Sequence, residues 1–167
     1  MTDIQYSWCA APVPPGLPVT QAYGWLVCPR TGRVLIQEHE DGLHNLPGGT
    51  PEPGDDSLHA TVAREAFEEN QVRIGPETAY LGYQLVMIAG REPFAQVRLA
   101  GVIDGFAPRA PDADGGQLYR RLMTSLARAP GVLGWGESGH AQAQAAAEAA
   151  RRWGLPVDAP APDGYED

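Results

Sequence analysis

Cysteine is scarce in this 167-residue chain, which carries only Cys9 and Cys28. Two thiols cannot build a disulfide framework or a cysteine-based metal site, and they suit a reducing compartment, so a cytoplasmic location is expected. Positive charge is short too: 12 Lys and Arg face 21 Asp and Glu, for a formal net charge of −9. That balance argues against duplex nucleic acid as a partner, because such binding draws on many cationic side chains neutralising phosphates. A small phosphorylated substrate stays open, provided a bound cation supplies the missing positive charge. Long apolar runs are missing, so no membrane partner is expected. The opening "MTDIQYSWCAAPVPPG" has no basic segment leading into an apolar one, so no secretory leader is expected. There is no internal repeat.

What is present reads as one folded domain. Hydrophobic residues make up 43% and charged residues 20%, a globular balance for a chain long enough to bury a core. After the proline-rich "APVPPGLP", the β-branched and aromatic run Val19–Cys28 reads as a strand. "PRTG" turns it into a partner strand at Arg33–Glu40. Two more strands are expected at Tyr80–Ala89 and Phe94–Asp104, joined by "GREP". "LYRRLMTSLARA" reads as a short strand or helix. "SGHAQAQAAAEAARRW" reads as an alanine-rich helix with Ser138 as N-cap, Arg151 and Arg152 at its C-terminal end, and Gly154 and Pro156 as stops. The expected organisation is a single α/β domain over residues 1–155 with a mixed sheet between helices, and a disordered tail over 156–167.

The informative stretch is "NLPGGTPEPGDDSLHATVAREAFEENQV", Asn45 to Val72. Its helix starts in "DDS", where Asp55, Asp56 or Ser57 can cap free backbone N–H groups. At about 100° per residue, Glu65, Glu68 and Glu69 share one face, while Ala60, Ala63 and Phe67 gather on the opposite face, expected to meet the core. A solvated acidic face with an Arg64–Glu68 ion pair is one account. It leaves the like-charged Glu65 and Glu69, one turn apart, as a small cost with no return. A hard divalent cation converts that repulsion into affinity, since Mg²⁺ prefers carboxylate and carbonyl oxygens. The "PGG" of Pro47–Gly49 lets backbone carbonyls approach such a site without a Cβ in the way.

The ordered series of PGG, Glu52, Pro53–Gly54, an acid, Arg64–Glu65 and Glu68–Glu69 resembles the Nudix box, with Gly49, Asp55 or Asp56, Arg64, Glu65, Ala66, Glu68, Glu69 and Val72 at matching positions. It departs in three places. The interval from Gly49 to Arg64 is one residue longer than usual, an Asp replaces the upstream Glu, and Gln71 stands where the family has Gly, with Asn70 expected to take the left-handed conformation.

The resemblance implies a Nudix-type α/β/α sandwich with a mixed sheet and an extra C-terminal helix. It also implies metal-dependent hydrolysis of a pyrophosphate linkage in a nucleotide or nucleoside-diphosphate derivative. By the same resemblance Mg²⁺ or Mn²⁺ is held by Glu65, Glu68, Glu69 and the carbonyl of Gly48 or Gly49. Glu65, Glu68 and Arg64 then carry the chemistry, Arg64 by orienting Glu68. The general base is one of the helix glutamates or Asp104, Asp112 or Asp114. Tyr23, Trp25, Tyr83 and Gln84 are candidates for a base pocket, since aromatic rings stack on any nucleobase. His44 and His59 have no partner at metal-ligand spacing and read as ordinary polar residues. The competing expectation is a non-catalytic Nudix domain that binds a nucleotide-like ligand as a sensor. "LGWG" at Leu133–Gly136 and the last helix could bury Trp135 and Trp153 in a homodimer, or against the sheet of the same chain.

Overall fold

The computed structural model describes residues 3–167. Its strands are β1 (Ile4–Cys9), β2 (Val19–Val27), β3 (Val34–Glu38), β4 (His44–Asn45), β5 (Gly48–Gly49), β6 (Val72–Ile88), β7 (Phe94–Phe106), β8 (Arg120–Thr124) and β9 (Gly164–Glu166). Its helices are α1 (Leu58–Asn70), α2 (Ala129–Leu133) and α3 (Gly136–Arg152). The strands join in the order β1-β6-β7-β2-β3-β8-β9, with β4 paired to β3 and β5 to β2. The β2–β7 pair is parallel and its neighbours are antiparallel, so the sheet is mixed as expected.

Alternation along the strands divides the core in two. On β2, Ala22 and Leu26 join Val62 and Ala66 of α1, while Tyr23, Trp25 and Val27 turn to the face covered by α3. On β7, Val97 and Leu99 lie on the α1 side and Ala100 on the α3 side. The layers are therefore helix, sheet, helix. Gly24 lets α1 approach closely, because a Cβ there would come within 2.7 Å of Val62 Cγ1.

Several expectations are corrected. The stripe of α1 that meets the core is Val62 and Ala66, while Phe67 is 41% exposed beneath the guanidinium of Arg73. A small residue at position 66 and a β-branched one at 62 fit the sheet more closely than a phenyl ring would. This rotation carries Glu69 inward instead of away from the core. Gln71 itself is left-handed (φ 52°), not Asn70, which ends the helix. Ser57 caps α1, its Oγ accepting from the Ala60 N–H at 3.1 Å, and this frees Asp55 for another role. Ser138 lies inside α3, which starts after Trp135. β6 begins at Val72, eight residues before the expected Tyr80, and tolerates this through register shifts against β7.

The tail does not behave as a disordered segment. Gly164–Glu166 pairs with β8, and Arg121 donates to the Glu166 carbonyl at 2.8 Å. Trp135 and Trp153 pack on the core of their own chain. No helix among the described residues is long and apolar enough to cross a membrane.

Candidate active site

The short strand β5 and the helix α1 face each other across the glutamates. Gly48 and Gly49 pair with Tyr23 and Ala22 of β2. A Cβ at Gly49 would collide with the Glu65 carboxylate, and one at Gly48 with the Ala22 carbonyl. Glycine is therefore required so that backbone and carboxylate can touch.

Arg64 organises the outer part of the site. Its Nε and Nη2 grip Asp55 Oδ1 and Oδ2 at 3.1 and 3.0 Å, a two-pronged pairing that fixes the guanidinium plane. Nη2 also donates to the Thr50 carbonyl at 3.0 Å. Nη1 donates to Glu65 Oε1 at 3.1 Å and Glu68 Oε2 at 3.2 Å. Asp55 further accepts from the Glu52 N–H and the Thr61 hydroxyl, both at 2.9 Å. The bond from Arg64, then that from Glu52, hold its carboxyl far below the usual range. Asp55, not Asp56, thus takes the upstream acid position. Its task is to tie the longer loop to Arg64.

Glu69 sits deepest. Oε1 accepts from the Gly48 N–H and Oε2 from Gln37 Nε2, each at 2.9 Å. Burial raises its pKa to about 7 against the pull of those two bonds, and the charges of Glu65 and Asp112 push it further up. Burial likewise raises Glu65, with Arg64 opposing and Glu68 and Asp112 adding to the rise. Of the three aspartates considered, Asp112 is thus the one whose charge acts on both helix glutamates. Asp104 is exposed on β7, and Asp114 is exposed with its N–H donating to Asp112 Oδ1 at 3.1 Å.

The expected metal set is only partly assembled. Glu65 lies against Gly49 and Glu69 against Gly48, while Glu68 stays on Arg64 with its side chain 29% exposed. Among the described residues, no three Asp, Glu, His or Cys side chains form a ready metal cage. The donor chemistry nonetheless fits a hard cation: buried carboxylates that repel one another, beside a glycine backbone.

The expected base pocket is also divided. Tyr23 and Gln84 line a cavity of about 540 Å³ on the α3 side of the sheet. Trp25 is fully buried beneath it, its Nε1 donating to Gln142 Oε1 at 3.3 Å, and Tyr83 points into the α1-side core. His44 is hydrogen-bonded to Glu38 at 3.0 Å and also lines this cavity, and His59 is hydrogen-bonded to Thr78 at 3.2 Å. Gln37, Arg98 and Gln142 are not reached by the sequence reading, which gives Trp135 a packing role only. The signal for Arg98 was there: in "AQVRL" it shares a strand face with Gln96, between the apolar residues of the other face.

An α/β/α sandwich with glycine backbone set against buried glutamates defines the class, and residues 18–111 match the family described as NUDIX domain. The chain belongs to the Nudix family. It is similar to the Bacillus subtilis (strain 168) protein named "Putative 8-oxo-dGTP diphosphatase YtkD", with 31% identity over 112 residues. That match covers 62% of this chain and 65% of the relative. The fold resembles a NUDIX hydrolase from Nitrosomonas europaea (TM-score 0.58, 19% identity, 84% of this chain and 94% of that one). It also resembles a MutT structure from work on Aliivibrio salmonicida and Vibrio cholerae (TM-score 0.50, 17% identity, 78% and 98%).

Proposed function

We propose that the protein is a metal-dependent pyrophosphohydrolase that cleaves a pyrophosphate linkage in a nucleotide or nucleoside-diphosphate derivative. The observation that carries this reading is the pair Glu65 and Glu69. Burial raises both in pKa, the charge of Glu65 adds to the rise at Glu69, and both lie against the Gly48–Gly49 backbone. A purely structural helix gains nothing from two such groups one turn apart.

Glu65, Glu68 and Glu69, with the Gly49 carbonyl, would hold Mg²⁺ or Mn²⁺. When bound, the cation supplies charge neutralisation of the pyrophosphate and a water acidic enough to attack near neutral pH. The chain's own residues prepare that site. Arg64 keeps Glu65 and Glu68 on one side of the helix, and Asp55 keeps Arg64 in place. Gln37 and the Gly48 N–H fix the direction of the Glu69 carboxylate. Asp112, on the β7–β8 connection with its charge acting on both Glu65 and Glu69, is the favoured general base among the aspartates.

The test is release of phosphate or pyrophosphate from nucleoside triphosphates, nucleoside diphosphate sugars, ADP-ribose and dinucleoside polyphosphates, with and without Mg²⁺ or Mn²⁺. Metal-dependent release that disappears in Glu69→Gln supports the hydrolase. A folded protein that binds nucleotide and metal yet turns over none of them is a sensor instead.

A further inference from the structure

The cavity on the α3 side is built around one buried cation. Arg98 is 5% exposed, and no carboxylate among the described residues lies within 4 Å of its guanidinium. Its Nε donates to Gln142 Oε1 at 3.1 Å, and Nη1 makes a long bond to the Gln96 carbonyl at 3.4 Å. A guanidinium has five N–H donors, so most of its donor edge is left facing the cavity. Burial lowers its pKa to about 10, so it still carries charge at neutral pH.

That arginine is held, not loose. Gln142 is fixed by Trp25 Nε1 and donates in turn to Gln84 Oε1 at 3.2 Å and Ser138 Oγ at 3.0 Å. The guanidinium carbon sits 4.7 Å from the Tyr23 ring centre and 5.3 Å from that of Trp135. A buried cation without a counter-ion is costly. Here it is oriented by amides and rings that contribute no negative charge, which leaves its pairing to a ligand.

Which ligand follows from what else lines the space. All 12 Lys and Arg positions of the chain are arginines and Arg98 is the only one of them in the lining, while His44, the other basic residue there, is already paired with Glu38 at 3.0 Å. A phosphate buried there would meet one unpaired cation among amides, aromatic rings and a histidine already held by a carboxylate, leaving much of its charge desolvated and uncompensated. A planar neutral group with adjacent acceptors needs no further counter-charge. Bonded to the guanidinium edge, it also extends along the rings of Tyr23 and Trp135. The O6 and N7 atoms of a 6-oxopurine are such a pair, and arginine takes them with two parallel bonds. A 6-aminopurine places a donor where the oxygen would be. Tyr23 links the two regions: its backbone pairs with Gly48, its ring contacts Arg98, and the charges of Glu69 and Glu65 reach its hydroxyl.

We propose that Arg98 is a specificity-determining residue that selects 6-oxopurine nucleotides by pairing with the acceptor edge of the base. This rests on the hydrolase reading for the placement of the phosphates beside β5, and on the cavity alone for the base.

The experiment is calorimetric titration of the intact chain, in Mg²⁺, with α,β:β,γ-bis(methylene) analogues of GTP, ITP and ATP, in which both anhydride oxygens are replaced. The expected result is binding of the GTP and ITP analogues on the order of 10-fold more tightly than the ATP analogue, as for one good bidentate contact. Arg98→Gln should abolish that preference. Arg98→Lys, which keeps the charge but not the planar fork, should abolish it too. Equal affinities in the unmodified protein overturn the proposal, and this comparison stands even if the variants fail to fold. So does a preference that survives both substitutions. An equal loss for all three analogues in Arg98→Gln also overturns it, since Arg98 would then be reading phosphate. Because the analogues are not cleaved, a protein that discriminates but hydrolyses nothing keeps this inference and loses the hydrolase. One that hydrolyses GTP and ATP alike, and binds their analogues alike, does the reverse.

Discussion

The two faces of the sheet carry opposite imbalances of charge. On the α1 side Glu52, Asp55, Glu65 and Glu68 crowd around a single Arg64, Glu69 lies buried beside them, and burial raises Glu65 and Glu69 in pKa. On the α3 side a single Arg98 is buried among glutamines, a serine and two rings, with no carboxylate among the described residues within 4 Å of it. Each face is short of the charge that the other has in excess, and the chain does not use one to satisfy the other. Tyr23 stands between them. A fold concerned only with stability would pair such groups or replace them with apolar ones. Leaving both unbalanced is what a bound cation on one side and an acceptor-bearing ligand on the other would require.

Glu69→Gln removes the deepest charge of the acidic face, and the largest effect is expected there. Turnover in Mn²⁺ or Mg²⁺ should fall by more than the roughly 100-fold that marks loss of a mere supporting contact to a metal ligand. Initial rates of phosphate or pyrophosphate release measure it. A variant within a few-fold of the parent would show that the acidic face is a solvated surface after all.

Stability against pH tests the same imbalance without any substrate. Folding raises the Glu69 pKa from 4.5 to about 7. Between those values the folded chain holds a proton that the unfolded chain has released, so stability declines as pH rises through this window and levels off above it. The contribution is about 3 kcal/mol at most, from 1.36 kcal/mol per pH unit. Urea titrations of the metal-free protein at pH 4.5 and pH 7.5 measure it, with Glu69→Gln as the reference in which this part of the slope is absent. Identical slopes in the two proteins would mean that burial at Glu69 is relieved in solution.

Arg64→Ala sharpens the comparison from the other direction, because it takes the organising cation from the acidic face. Activity should drop on the order of 10–100-fold through misplacement of Glu65 and Glu68. Metal titration should show weaker affinity, while a purely structural ion pair would change stability and leave metal affinity alone. Arg64→Lys should recover little, since Lys cannot reproduce the fork held by Asp55.

The acidic face was legible in the sequence because its signal is local. The spacing from Gly49 to Glu69 lies within one loop and one helix, and both periodicities are readable there. The direction in which α1 is turned was not, because Phe67 outweighs Val62 and Ala66 by hydrophobicity while close packing against Gly24 decides the matter. β1 went unread because Ile4 and Tyr6 are exposed in a strand defined by its pairing with β6. β9 depends likewise on β8 and on Arg121. The Arg98 face was opaque for the same reason at longer range. Gln84, Gln96, Arg98 and Gln142 become one network only once α3 is laid over the sheet.

The smallest expected effect concerns Gln71, where the family has glycine. A left-handed φ of 52° costs a side chain about 1–2 kcal/mol, which Gln71→Gly would relieve. The glutamine offsets that cost with two bonds: its Nε2 donates to the Glu68 carbonyl at 3.0 Å, and its Oε1 accepts from the Ala110 N–H at 2.9 Å. Each is worth about 1 kcal/mol, so the two changes cancel and stability should move by less than about 1 kcal/mol. The second bond ties α1 to the connection that carries Asp112 toward Glu65 and Glu69. Loss of the clamp should therefore appear as faster amide exchange at Ala110 and a modest fall in turnover, with the unfolding midpoint almost unchanged. If Gln71→Gly instead raises the midpoint by several degrees and leaves exchange at Ala110 as it was, the glutamine is a tolerated strain, and Asp112 is held in place by its own loop.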